Sequence, residues 1–117
     1  MMDQGASNRA LHDLKVIDLG HYIAGPYCAS LLAGVGAEVI KVERPGSGDG
    51  ARMMGPFPND EPDIEKGGLF HYLNLSKKSV TLNLKSEVGR EALKKMVAQS
   101  DVLIENFEPR VMPSLGL

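Results

Sequence analysis

The sequence predicts an α/β fold built on a parallel sheet with flanking helices, and three observations carry that prediction. Apolar strand signals alternate with helical stretches along the chain. The first strand passes through a glycine turn directly into a helix. Several strand signals end in polar or charged residues of the kind that face a crevice at the carboxyl edge of such a sheet.

The first element is Val16-Ile17-Asp18-Leu19, a buried-strand signal. It runs into the turn Gly20-His21-Tyr22-Ile23-Ala24-Gly25, after which Pro26 opens a helix of small residues over 28–33. Gly34-Val35-Gly36 stops that helix, and a second strand over 38–42 ends in Glu43-Arg44-Pro45-Gly46. Residues 44–68 are rich in Gly, Pro and Asp without periodicity and read as a long surface loop. A short helix over 69–74 precedes the turn Leu75-Ser76-Lys77-Lys78, whose lysines read as solvated.

Residues 79–85 alternate, with Val80, Leu82 and Leu84 on one side and Thr81, Asn83 and Lys85 on the other. That pattern predicts a half-buried strand near a sheet edge. Ser86 is placed to cap a helix reaching about residue 99, with Glu87 and Glu91 early and Lys94-Lys95 late, as the helix dipole favours. Val88, Ala92, Leu93, Met96 and Val97 form its expected core stripe. Asp101-Val102-Leu103-Ile104 is a further buried strand, followed by Glu105-Asn106-Phe107. Residues 1–10 read as a loose terminus and 11–117 as one domain, ending on the apolar Leu115-Gly116-Leu117.

Composition narrows the function classes. The 117 residues are 43% hydrophobic and 24% charged, with a formal net charge of -2, ordinary values for a globular chain. There is no basic excess, and three Phe, three Tyr and no Trp offer few stacking platforms, so nucleic acid is not an expected partner. No apolar run reaches membrane-spanning length and the polar start lacks a signal-peptide core, so neither a membrane nor secretion is expected. The single Cys28 reads as a small buried hydrophobe in a reducing, cytoplasmic protein. His12, His21 and His71 share no metal-ligand spacing, and no metal is expected.

In a parallel sheet the ends after Leu19, Val42 and Ile104 meet at one edge. The helix N-terminus after the glycine turn would seat an anion there, and Arg44 would face the same crevice. Gly20 and Gly25 have Walker A spacing, but Pro26-Tyr27 replaces the Lys-Ser/Thr that neutralises phosphate and holds magnesium. The dinucleotide glycine fingerprint is also missing, although Glu43 lies about twenty residues past the turn, where a ribose-binding acid is expected. For Arg44 a solvated strand end competes with a site role; Lys85 can reach either solvent or phosphate. The pattern alone leads to a nucleotide-like anion site and to no reaction.

At these residues the chain resembles the class III CoA-transferase family (CaiB/BaiF type), which includes formyl-CoA:oxalate and carnitine CoA-transferases and the related 2-methylacyl-CoA racemases. The matching segments begin with Leu14-Lys15-Val16-Ile17-Asp18-Leu19, Ala24-Gly25-Pro26 and Gly36-Ala37-Glu38-Val39-Ile40-Lys41-Val42-Glu43-Arg44-Pro45. They continue with Gly48-Asp49 and Arg52, Asn74-Leu75-Ser76-Lys77-Lys78-Ser79, Leu82-Asn83-Leu84-Lys85 and Asp101-Val102-Leu103-Ile104-Glu105-Asn106-Phe107. They cover nearly the whole chain from Leu14 and are jointly specific. The resemblance implies a Rossmann-like sheet and a site for coenzyme A or acyl-CoA, with a carboxylic acid as second substrate. Ile23, Ala24, Arg44, Leu82, Asn83, Leu84, Lys85, Asn106, Phe107 and Glu108 match the family's CoA contacts, and His21 matches a position lining the active-site entrance. Ser114 departs from an Arg found there in some members, with Arg110 nearby.

The family's reaction, as the resemblance implies it, uses an Asp carboxylate that attacks the acyl-CoA thioester to give a mixed anhydride and CoA thiolate. The thiolate returns, the donor acid leaves, and the aspartyl-CoA thioester passes CoA to the acceptor acid. No Asp of this chain matches that nucleophile, so the resemblance implies the amino-terminal part of a longer enzyme, inactive by itself, whose intact form is an intertwined homodimer. An acyl-CoA racemase of the same family and a non-catalytic CoA- or nucleotide-binding module are the alternatives.

Overall fold

Val16 and Ile17 are β-branched, are buried on opposite faces of the pleat, and form the middle of β1 (Lys15–Asp18). The chain then turns through Gly20 into α1 (Ala24–Gly34). A Cβ on Gly20 would lie 2.8 Å from Pro26 Cδ and 2.9 Å from the Gly25 Cα, so this close approach admits no side chain. β2 (Glu38–Glu43) follows, then the 3₁₀ turns Gly50–Met53 and Pro58–Asp60, and α2 (Gly68–Leu73). The remaining elements are β3 (Lys78–Thr81), α3 (Glu87–Ala98), β4 (Val102–Ile104) and the short α4 (Val111–Ser114). The structure, a computed structural model, describes residues 8–117. Most of the expected loose start lies outside the described residues, and 8–13 form turns.

The strands form one parallel sheet in the order β3-β2-β1-β4, with Val16 opposite both Val39 and Val102, and Val42 opposite Val80. The chain first builds outward on one side of β1 and then returns to place β4 on its other side. The switch point therefore lies between β1 and β4, with the carboxyl ends on one edge. Helices cover both faces. Val16, Ala29, Ala33, Ala37 and Val39 pack together against α1, while Ile17, Leu19, Val42 and Leu93 pack under α3. No helix of the described residues is long and apolar enough to cross a membrane.

Several expectations need correction. The ladder of β3 stops at Thr81, short of Lys85, yet Leu82 and Leu84 stay half-buried and pack with Val80 on the α3 side. Leu82 N–H still donates to Glu43 O at 3.0 Å, and beyond it packing on the α3 side keeps the inward alternation. Ser86 does cap α3, accepting from the Gly89 N–H at 3.0 Å. Val88 is 82% exposed, however, and the buried stripe runs through Gly89 and Leu93 to Met96 and Val97, one residue round the helix. β4 is an edge strand of the described sheet, and Leu103, on the face away from α1, is 40% exposed. Cys28 is exposed, because α1 turns Gly25, Ala29 and Ala33 inward and leaves positions 27, 28 and 31 outside.

Candidate functional site

The face parity of the strands decides what stands at the carboxyl edge. Val16 and Asp18 point to the α1 side, as do Val39, Lys41 and Glu43, while Leu19 and Val42 point to the α3 side. One face of the edge is thus ionic and the other apolar.

On the ionic face a buried charge cluster grips the turn after β1. Gly20 N–H donates to Asp18 Oδ1 at 2.8 Å, and Lys41 Nζ donates to Gly20 O at 3.0 Å. The side-chain amide of Asn106, just past β4, accepts from His21 N–H and donates to His21 O, both at 2.9 Å. Tyr22, at φ 62, donates its N–H to Asp49 Oδ1 at 2.9 Å. Side chains from β1, β2, the loop after β2 and the end of β4 therefore satisfy the turn's polar backbone and offset its left-handed residue.

The cluster is internally paired. Lys41 Nζ lies 2.7 Å from Asp49 Oδ2, the sole partner of that buried oxygen among the described residues, and 3.9 Å from Asp18 Oδ2. Lys77, read as solvated, is instead buried and donates to Asp18 Oδ2, Pro26 O and Asn74 Oδ1, each at 2.8 Å. The preceding Ser76, at φ 66, bends the chain inward and leads Lys77 under α1. Burial pushes the Lys77 ammonium down against the upward pull of Asp18. Burial alone would raise the Asp49 carboxyl, but its hydrogen bonds from Lys41, Ala51 N–H and Tyr22 N–H outweigh that and hold it low.

Residues 44–68 are correspondingly more than a surface loop. Arg52 forms a bidentate pair with Glu43, both bonds at 2.8 Å, and its guanidinium stacks 3.7 Å from the Phe70 ring centroid. Glu43 also accepts from Asp49 N–H at 2.9 Å and from Ser79 Oγ at 2.8 Å. Burial would raise its carboxyl, but Arg52, the Asp49 N–H and Ser79 bring it down to about 2. Glu43 is thus fully engaged within the protein, and the ribose-binding role considered from its spacing is not open to it.

Two adjoining clefts open at the carboxyl edge, the first on its apolar face and the second over the turn and the start of α1. The first, of ≈ 460 Å³, is lined by Leu19, Val42, Leu82, Asn83, Leu84, Lys85 and Leu115 among others. The second, of ≈ 560 Å³, is lined by Tyr22, Ile23, Ala24, Asn106, Glu108 and Arg110. His21, Arg44, Phe107 and Val111 border both. Every residue matched to a CoA contact, together with His21, thus lies on one continuous pair of clefts at the strand ends. Arg44 and Lys85 are exposed and have no carboxylate within ion-pair distance among the described residues. Arg110, by contrast, pairs with Glu108 at 2.9 Å. His21 packs against Phe107 with ring centroids 5.6 Å apart, and its Nδ1 lies 4.0 Å from Asp49 Oδ1. Burial lowers its pKa; Asp49 pulls it up, while Lys41 and Arg44 push it further down.

The sequence reading missed Lys41, Asp49 and Lys77 as builders of this edge. A signal existed for Lys41: a charge on the inward parity of a buried strand, between Val39 and Glu43, requires partners. Val111 and Leu115 were missed because a short apolar tail carries no period to read. No group of three or more His, Cys, Asp or Glu among the described residues is arranged to hold a metal ion.

Comparison with known proteins adds the family. The sequence profile of CoA-transferase family III matches residues 11–117. A succinyl-CoA:mesaconate CoA-transferase of Haloarcula marismortui is 48% identical over 103 residues, 88% of this chain and 26% of the relative. A formyl-CoA:oxalate CoA-transferase of Bradyrhizobium sp. is 43% identical over 108 residues, 92% of this chain and 24% of the relative. The crystal structure of a CAIB/BAIF family protein from Brucella suis superposes with a TM-score of 0.82 at 39% identity, over 94% of this chain and 29% of that one. The chain spans about a quarter of the length of the curated relatives it matches.

Proposed function

The chain belongs to CoA-transferase family III, and from that premise we propose that the protein moves CoA between carboxylic acids, with acyl-CoA bound in the paired clefts. The observation that carries the reading is the contrast in charge at the sheet edge. Lys41, Lys77 and Arg52 are neutralised inside the protein, while Arg44 and Lys85 stand unpaired beside an apolar wall. That is the arrangement a ligand with phosphates at one end and a weakly polar arm at the other would meet. Arg44 and Lys85 take the phosphates, Leu82 and Leu84 supply apolar surface, and the backbone at Ile23 and Ala24 packs against the adenine portion. Asn83, Asn106, Phe107 and Glu108 complete the walls.

In this proposal residues 11–117 are the amino-terminal part of the large CoA-binding domain. Asp18 and Asp49 are buried against lysines and closed to a thioester. As the family resemblance implies, we assign the nucleophilic Asp to the part of the relatives' length that this chain does not match. The homologous proteins' names favour transfer over racemisation. We extend the reading to a cytoplasmic, intertwined homodimer as the working assembly.

The test is isotopic. The full gene product is incubated with acyl-CoA and a ¹³C-labelled free acid, and the label is followed by mass spectrometry. Label appearing in acyl-CoA, without solvent deuterium at the α-carbon, is the expected result. Deuterium entry without acid exchange would replace the transferase with a racemase, and CoA binding with neither reaction would leave a binding module.

A further inference from the structure

The paired clefts explain Arg44 and Lys85 but not why the protein buries two lysines and two aspartates immediately behind them. Such a cluster is expensive to desolvate and is weak evidence for stability in itself. Asp18, Lys41 and Asp49 each bond the turn over residues 20–22, and Lys77 braces Asp18 from behind. Asp49 is central: one carboxylate oxygen receives Tyr22 N–H, the other meets Lys41, and Lys41 in turn holds Gly20 O. Asp49 is itself fixed from below, through its N–H on Glu43 and through Ala51 N–H on its own carboxylate. The neighbouring Gly50 carries the Tyr22 ring directly on its Cα, and a Cβ there would overlap that ring.

We propose that Asp49 is a positioning residue of the acyl-CoA site, which acts through the turn to hold His21 at the junction of the two clefts and touches no substrate itself. It is 1% exposed and lines neither cleft, whereas His21 borders both. Tyr22 is held in a left-handed conformation that a tyrosine adopts only under constraint. Once Asp49 stops accepting from Tyr22 N–H, the turn relaxes, His21 leaves the junction, and the start of α1 with Ile23 and Ala24 moves with it. The loop after β2 thereby becomes part of the site although none of residues 48–53 faces the ligand. This inference rests on the reading of the clefts as an acyl-CoA site.

The experiment uses the full gene product and three variants: Asp49→Asn, Gly50→Ala and, as a control, Leu32→Ala, which packs with the core on the α1 side and lines neither cleft. CoA affinity is measured by titration calorimetry, stability by urea unfolding, and the state of His21 by ¹⁵N NMR of its imidazole, assigned by the loss of that signal in His21→Gln. Asp49→Asn is expected to weaken CoA binding about tenfold and to shift the His21 resonance. Gly50→Ala, which leaves Asp49 in place and displaces only the Tyr22 ring, is expected to weaken binding several-fold. Leu32→Ala should lower stability with affinity held within about twofold. The proposal is overturned if Asp49→Asn and Gly50→Ala bind CoA like the wild type. It is equally overturned if Leu32→Ala loses as much affinity as they do, since the effect would then be general loosening. Should Asp49→Asn not fold, Gly50→Ala carries the test alone. A wild type that binds no CoA removes the acyl-CoA reading and the proposal's site together. The His21 resonance in Asp49→Asn then still reports separately whether the carboxylate governs the turn.

Discussion

Lys41, Lys77 and Arg52, on the α1 side of the sheet edge, are each held by carboxylates of the same chain, whereas Arg44 and Lys85 have no such partner among the described residues. The two groups are made of the same residue types, but Lys41 lies within β2, Lys77 just before β3 and Arg52 in the 3₁₀ turn after β2. What separates them from Arg44 and Lys85 is burial. A cation buried beneath α1, α2 and the loop after β2 must be neutralised internally, whereas an exposed one needs no internal partner.

The largest expected effect breaks the buried group. Lys41→Met keeps length and apolar stem but leaves Asp49 and the Gly20 carbonyl without their cation. Removing one partner of a buried pair costs about 3–5 kcal/mol, which urea unfolding of the full gene product will read directly. The double variant Lys41→Met, Asp49→Leu should recover part of that loss, because no uncompensated charge remains. A single variant as stable as the wild type would mean that the cluster is solvated and that the contrast between the groups is false.

The next effect is a pH dependence of the same face. The Glu43 carboxyl, held at about 2 in the folded protein against 4.5 for its ordinary value, favours folding most above the ordinary value. That contribution shrinks as pH falls from about 4.5 and is gone below about 2. Asp49 is shifted in the same direction and adds to the slope. The shift on Glu43 alone corresponds to about 3 kcal/mol. Urea midpoints between pH 7 and pH 3 should fall steeply for the wild type and less steeply for Glu43→Gln, whose Arg52 partner has nothing to lose on acidification. Parallel curves for the two proteins would assign the acid sensitivity elsewhere.

The sequence revealed this contrast only in part. The parallel character of the sheet, the edge position of β3, the Ser86 cap and the meeting of three strand ends were all legible, because they follow from runs and alternation that few residues suffice to display. The residues of the clefts were reached through the family resemblance and not through any pattern. What stayed hidden was which charges are internal. Lys77 and Lys78 are adjacent and chemically equivalent, yet one is buried under α1 and the other is exposed. A left-handed residue at Ser76 makes that difference, and serine does not advertise it. Asp49 looked like any acid of a glycine-rich loop, since its partner Lys41 arrives from a strand and not from nearby sequence. Val88 was misassigned for a local reason: Gly89 is the inward residue, and a helix stripe is usually read from large apolar side chains and not from glycine.

The smallest effect on stability, and the sharpest on ligand, belongs to the exposed group. Arg44→Ala removes an exposed side chain with no internal partner, so the unfolding free energy should change by no more than about 0.5 kcal/mol. CoA affinity should nevertheless fall about tenfold, the value of roughly one charge-assisted hydrogen bond to phosphate at a partly open site. Lys85→Ala should do the same less strongly, as a lysine offers phosphate a point charge and no fork. Salt gives the decisive control. Raising ionic strength screens exposed charges and barely reaches buried pairs, so wild-type affinity should drop with added salt while Arg44→Ala, already lacking the contact, drops less. Stability of both proteins should be nearly flat over the same range, because Lys41, Lys77 and Arg52 do their work out of reach of the solution. If instead Arg44→Ala unfolds the protein or leaves CoA binding untouched, Arg44 belongs with the internal group and the division into buried and exposed cations fails.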